Sequence, residues 1–157
     1  MRSFYKLSCI PFLAVLTFQL MTTDLRAAMS ASGEKISVPE YLEAEQIVLS
    51  GNYEAAIPLL NQTLQKFPGH ASAWNLLGYT HRMTGKFDKA EQYYDGALTV
   101  SPNHTGALNY MGQLFIQTGR PDRANDLLAR LQKACPQGCA DLEHLKEAVA
   151  TGVAGKY

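Results

Sequence analysis

The sequence predicts an all-α fold, an α-solenoid of three helix-turn-helix units closed by a C-terminal capping helix, and three observations predict it. Gly51, Gly85 and Gly119 stand 34 residues apart, and Pro68, Pro102 and Pro136 keep the same interval. Ala56, Ala90 and Ala124 are in phase with them, as are the pairs His70/His104, Ala73/Ala107, Asn75/Asn109, Leu77/Met111 and Gly78/Gly112. With 12 glycines and 7 prolines in 157 residues, threefold registration of both is not an accident of composition; a fixed period of this length marks a repeat array. Within each unit the stripes Trp74, Leu77, His81 and Ala90, Tyr94, Ala97 follow helical, not strand, spacing.

The first element is residues 1–28, read as a secretory signal. Arg2 and Lys6 precede an apolar run from Leu7 to Met21, a more polar stretch follows, and Ala27 and Ala28 supply small residues for cleavage, with Ser30 or Ala31 as later options. The run is short for a spanning helix, which needs about 20 apolar residues, and Pro11 interrupts it; an uncleaved anchor is the alternative reading. Residues 29–36 form a linker. Secretion implies a bacterial periplasm and no membrane insertion once the signal is removed.

What remains is long enough for one domain with a core of its own. The full chain's 14 basic and 14 acidic side chains balance, and charged residues make up 18% of it, which excludes the basic field of a nucleic-acid binder.

The three units are 37–70, 71–104 and 105–138. Ser37 with Pro39 and Glu40 reads as an N-terminal cap for the first helix. Gly51, Gly85 and Gly119 suit a helix C-terminus in the left-handed conformation, and the three prolines stop the second helix of each unit. Gly78, Gly112, Ala90 and Ala97 are small so that helix backbones can approach closely. Residues 139–152 form the capping helix, with Leu142, Leu145 and Val149 on its apolar side, and residues 153–157 a tail. Seven helices result.

The middle unit carries Trp74, Leu77, Gly78, Ala90, Tyr94, Ala97 and Pro102; the third carries Leu108, Met111, Gly112, Phe115, Ala124, Leu128, Leu131 and Pro136. The first keeps Ala44, Ile47, Gly51, Ala56, Leu60 and Pro68. This pattern resembles the tetratricopeptide repeat family, and with its leader the chain resembles small exported proteobacterial members. The departures are His81, where the family has tyrosine, and Glu40 and Glu43, where it has apolar residues.

The resemblance implies that the first helix of each unit lines a concave groove, faced here by Tyr41, Glu45, Val48, Asn75, Tyr79, Arg82, Asn109, Tyr110, Gln113 and Gln117. Asn75 and Asn109 share a phase, and a side-chain amide can pair with both the donor and the acceptor of an extended peptide. Tyrosines add amphipathic contact area at low entropic cost. Chaperone adaptors of the family grip a C-terminal carboxylate with lysine, asparagine and arginine. Tyr41, Glu45, Leu76, Gly106 and Tyr110 stand at those places, so the likeness does not extend to that subfamily.

Cys9 leaves with the signal, and the mature chain keeps Cys135 and Cys139 across a Pro136-Gln137-Gly138 turn. In an oxidising compartment a disulfide is expected, one that ties the capping helix to the last unit. The spacing is not the two-residue gap of thioredoxin-like redox pairs; copper held with His144 is a further alternative, since thiolates select soft metals.

No constellation of nucleophile, base and acid appears, nor a phosphate loop or zinc pattern. His70 and His104, in equivalent turns after proline, read as repeat residues. The sequence therefore predicts no enzyme, no cofactor and no metal, but an exported module that binds a protein or peptide, with micromolar affinity, about −8 kcal/mol, from so small a surface. The competing classes are a thiol-redox or copper-handling accessory protein using Cys135 and Cys139, and a scaffold that self-associates through exposed repeat ends.

Overall fold

The computed structural model describes residues 38–155. The signal, the linker, Ser37 and the last two residues lie outside the described residues. Among the described residues there are seven helices and no strand: α1 (Pro39–Leu49), α2 (Tyr53–Lys66), α3 (Ala71–Met83), α4 (Phe87–Val100), α5 (Thr105–Gln117), α6 (Pro121–Ala134) and α7 (Ala140–Thr151). None of them is long and apolar enough to cross a membrane. Consecutive helices pack antiparallel in pairs. The odd-numbered helices also touch in series, α1 with α3, α3 with α5, and α5 most extensively with α7. That series of first helices makes one continuous face.

Local chemistry sets the repeat. Gly51, Gly85 and Gly119 have φ of 83°, 74° and 72°, and each closes its helix with the same pair of bonds. At the second, Gly85 N donates to Arg82 O (3.1 Å) and Lys86 N to His81 O (2.8 Å). This is the six-to-one and five-to-two pattern of a Schellman turn, which needs a left-handed residue. The second helices end two residues before Pro68, Pro102 and Pro136, because the residue preceding a proline is driven out of the helical region.

The first helix begins differently from the sequence expectation. It starts at Pro39, its N-cap is Val38 in extended conformation, and no side chain caps it. Glu40, expected to complete a capping box, instead pairs with Lys66 of α2. Val38 is buried and anchors this end by apolar contact, while the hydroxyl of Ser37 lies outside the described residues. The other expected departure, Glu43, is solvent-exposed.

Burial divides into two connected cores. Ala44, Val48, Ala56, Leu60, Leu77 and Tyr79 form the N-terminal one; Tyr94, Leu108, Phe115, Leu131 and Leu145 anchor the C-terminal one. Tyr110 packs against both. The alanines at 44, 56, 73, 90, 97, 107 and 124 are all fully buried, as close helix approach requires.

The glycines inside helices serve a different contact from the one expected. A Cβ on Gly78 would stand 2.5 Å from Cδ1 of Tyr94, and one on Gly112 would stand 2.5 Å from Cδ1 of Leu145. What each admits is a large side chain from the facing helix, not a helix backbone. Leu145 belongs to α7, so the third unit receives its closing helix through Gly112. Cys135 caps the end of α6 and Cys139 the start of α7. Their Cα atoms are 6.0 Å apart and their sulfurs are at disulfide distance.

Candidate functional site

The face built by α1, α3 and α5 carries its side chains in columns one repeat apart. Tyr41, Asn75 and Asn109 form one column, and Glu45, Tyr79 and Gln113 the next. Val48 and Arg82 belong to a third, with Tyr110 and Gln117 beside them.

At the N-terminal end the columns are accessible. Tyr41 is half-buried, donates to Glu45 Oε1 at 3.2 Å, and its ring lies 4.6 Å from that of His70. Glu45 is half-buried and Val48 belongs to the core. In the middle, Tyr79 is 1% exposed; its ring sits 5.3 Å from Tyr110 and 5.9 Å from Tyr53, with the Arg82 guanidinium 5.5 Å above it.

Asn75 and Asn109 share a phase but not an environment. Asn109 is completely buried. Its Nδ2 donates to Asp141 of α7 at 3.0 Å, and its Oδ1 accepts from Gln113 Nε2 at 2.7 Å. Asn75 Oδ1 is buried with no hydrogen-bond partner among the described residues. The place of Asp141 one repeat earlier is taken by Ala107, which offers nothing. A buried amide oxygen without a donor is costly unless a ligand supplies one.

Arg82 is 3% exposed. Its Nη2 donates to the carbonyl of Gly155 at 2.9 Å and its Nη1 to Gln117 Oε1 at 3.4 Å. Beneath it the hydroxyl of Tyr94 is fully enclosed; burial pushes that phenol far above its ordinary range, and the Arg82 charge opposes the shift. Gln117 remains exposed and Tyr110 half-buried. A groove open along all three units was expected, but Arg82, Asn109 and Gln113 are covered at the C-terminal end. Asp141 reaches over Asn109, and the segment after α7 reaches Arg82 and Gln113.

His70 and His104 have a role that the sequence reading did not assign. Each is the N-cap of its helix, and each Nδ1 accepts a backbone N–H at 3.1 Å, from Ala73 and Ala107. With Nδ1 accepting, the proton of the His104 ring sits on Nε2, 3.3 Å from Ser72 Oγ. Burial lowers both pKa values. Their place immediately before a helix, three residues ahead of Ala73 and Ala107, was the available signal. His81, in the place of the family tyrosine, stacks flat on Tyr93 at 5.0 Å.

A helical-pair solenoid with a polar and aromatic face along its first helices defines a repeat-type interaction scaffold. Two sequence profiles of the tetratricopeptide repeat match residues 50–105 and 81–149. The chain belongs to the tetratricopeptide repeat family. No match is found among the curated proteins. Solved structures of the same architecture include the first such domain of Spaghetti (RPAP3) bound to the HSP90 peptide SRMEEVD, with a TM-score of 0.62 and 17% identity over 71% of this chain and 93% of that one. A chain of the CopN–Scc3 complex gives a TM-score of 0.59 and 19% identity over 74% of this chain and 71% of that one. At such identities the likeness is one of fold.

Proposed function

We propose that this protein is an exported, periplasmic adaptor that holds an extended peptide segment or a partner helix against the face of α1, α3 and α5, as an assembly factor for an envelope complex. It acts by binding, not by catalysis. The observation that carries the reading is Asn75. Its buried Oδ1 lacks a donor among the described residues, in the middle of a face that also presents Tyr110 and Gln117. An extended peptide N–H would satisfy it. Similar folds that take a peptide or a protein, as the two structures above do, support the class of partner. The leader supports export, and the position of Cys135 and Cys139 at disulfide distance fits an oxidising compartment.

The test is site-specific photocrosslinking in the native cell. A crosslinker at Glu45 or Gln117 should capture a discrete partner that one at Gln92, on the exposed side of α4, does not. Equal capture from all three positions, or capture from Gln92 alone, would overturn the groove. Fractionation with N-terminal sequencing of the mature chain tests export: retention in the cytoplasm with residues 1–28 intact would refute it.

A further inference from the structure

Helix α7 ends in a turn that sends the chain back over the scaffold. Gly152 is left-handed at φ 69° and its N–H bonds Ala148 O at 2.9 Å; Val153 N then donates to Thr151 Oγ1 at 3.3 Å. Only glycine takes that conformation without a steric penalty. The consequence is long-range. Gly155 O receives its hydrogen bond from Arg82, 73 residues earlier on α3, and a Cβ built on Gly155 would stand 3.3 Å from Gln113 Oε1. The segment is therefore laid across two side chains of the proposed groove, over a cavity of about 360 Å³ walled by Gln113, His144, Glu147 and Thr151.

The polar groups beneath this strap are only partly used. Gln113 Oε1 is buried without a hydrogen-bond partner among the described residues, whereas Arg82 also engages the enclosed Tyr94 hydroxyl; among the described residues no carboxylate pairs with Arg82. A backbone N–H that ran deeper across the same place would find the Gln113 oxygen waiting as an acceptor. We infer that residues 153–155 occupy in cis the place of a partner's extended backbone. The site then selects a segment of small residues, with glycine where the chain passes Gln113, and a partner enters by displacing the strap. This rests on the groove reading proposed above and specifies its ligand.

A tethered ligand competes at an effective concentration in the millimolar range, so a peptide of about 100 μM intrinsic affinity should bind the covered protein about tenfold more weakly than the uncovered one. The probe is a synthetic peptide of residues 151–157. It is titrated against the full chain, against a chain ending at Gly152, and against full-length Gly155→Val, whose side chain would meet Gln113. Core packing ends at Val149, so neither change reaches the core, and circular dichroism checks the fold.

Binding to both altered chains, about tenfold weaker binding to the full chain, and loss of binding when the peptide itself carries valine at 155 are the expected results. No binding to a folded chain ending at Gly152 would sink the inference, as would equal affinity for all three proteins or an unimpaired valine peptide. If the crosslinked partner is nevertheless captured at Gln117 with equal yield from the full and shortened chains, the groove stands and the strap alone is wrong.

Discussion

The imidazole of His104 accepts the backbone N–H of Ala107 through Nδ1, and His70 does the same for Ala73 one repeat earlier. Two helices of the face formed by α1, α3 and α5 thus start on an unprotonated histidine. A protonated Nδ1 cannot accept. Burial lowers the pKa of His70, His81 and His104 below the ordinary 6.5, with Asp141 partly opposing this at His104 and Lys86 and Lys89 reinforcing it at His81. The unfolded chain therefore binds protons first as pH falls. Stability is complete above roughly pH 6.5, declines as pH drops below it, and levels off once the folded histidines titrate. Urea midpoints measured from pH 7.5 to 5 should show that decline, and the double variant His70→Asn, His104→Asn, which keeps an acceptor at each cap, should flatten most of it. An unchanged slope in the double variant would show that the caps do not carry it.

Gly78 and Gly112 are equivalent in sequence and unequal in cost. Alanine gains about 1 kcal/mol over glycine in a helix interior. Against that, Gly78→Ala drives a methyl into the ring of Tyr94, which is completely buried and cannot turn aside; overpacking costs about 1–3 kcal/mol. At Gly112 the obstacle is the branched aliphatic tip of Leu145, equally buried but without a rigid ring to displace. Gly78→Ala should lower the melting temperature, whereas Gly112→Ala should leave it within a few degrees. The reverse order would mean that α7, not α4, is the rigid neighbour.

The cysteine pair closes a very short loop between the C-cap of α6 and the N-cap of α7. Chain entropy gives it about 2 kcal/mol. Reduction, or the Cys135→Ser, Cys139→Ser variant, should lower the urea midpoint accordingly and raise hydrogen exchange in α7 before the first two units. Two free thiols titrated in the native, unreduced protein would remove the disulfide.

The helix pairs were legible in the sequence because their punctuation is local. Gly85 must be left-handed whatever packs around it, and Pro102 stops a helix unaided. The face formed by the first helices was legible for the same reason, since Asn75 and Asn109 keep one phase on equivalent helices. What covers that face was not, because it depends on chain distant in sequence: Asp141 on Asn109, and Gly155 on Arg82. Gly152 was visible only as one more glycine. The histidine caps were missed because Ser, Thr, Asp and Asn dominate N-caps, and nothing local marked the buried Val38 as the residue that opens the first helix.

Asn75 and Asn109 separate binding from architecture. Asn109→Ala strips the buried Gln113 and the half-buried Asp141 of a partner, and unsatisfied buried polar groups cost about 1–3 kcal/mol. Asn75→Ala removes an oxygen that has no partner among the described residues, so stability should stay within about 0.5 kcal/mol of the parent. Affinity for the partner should respond the other way, falling in Asn75→Ala by the worth of one net hydrogen bond, about 1 kcal/mol or fivefold. The two substitutions are therefore read singly, since a double variant would confuse a weakened third unit with a lost contact. Chemical denaturation of both single variants, followed by titration with the crosslinked partner's segment, gives the comparison. A stable Asn75→Ala protein that binds as tightly as the parent would take Asn75 out of the site, and with it the observation on which the groove rests.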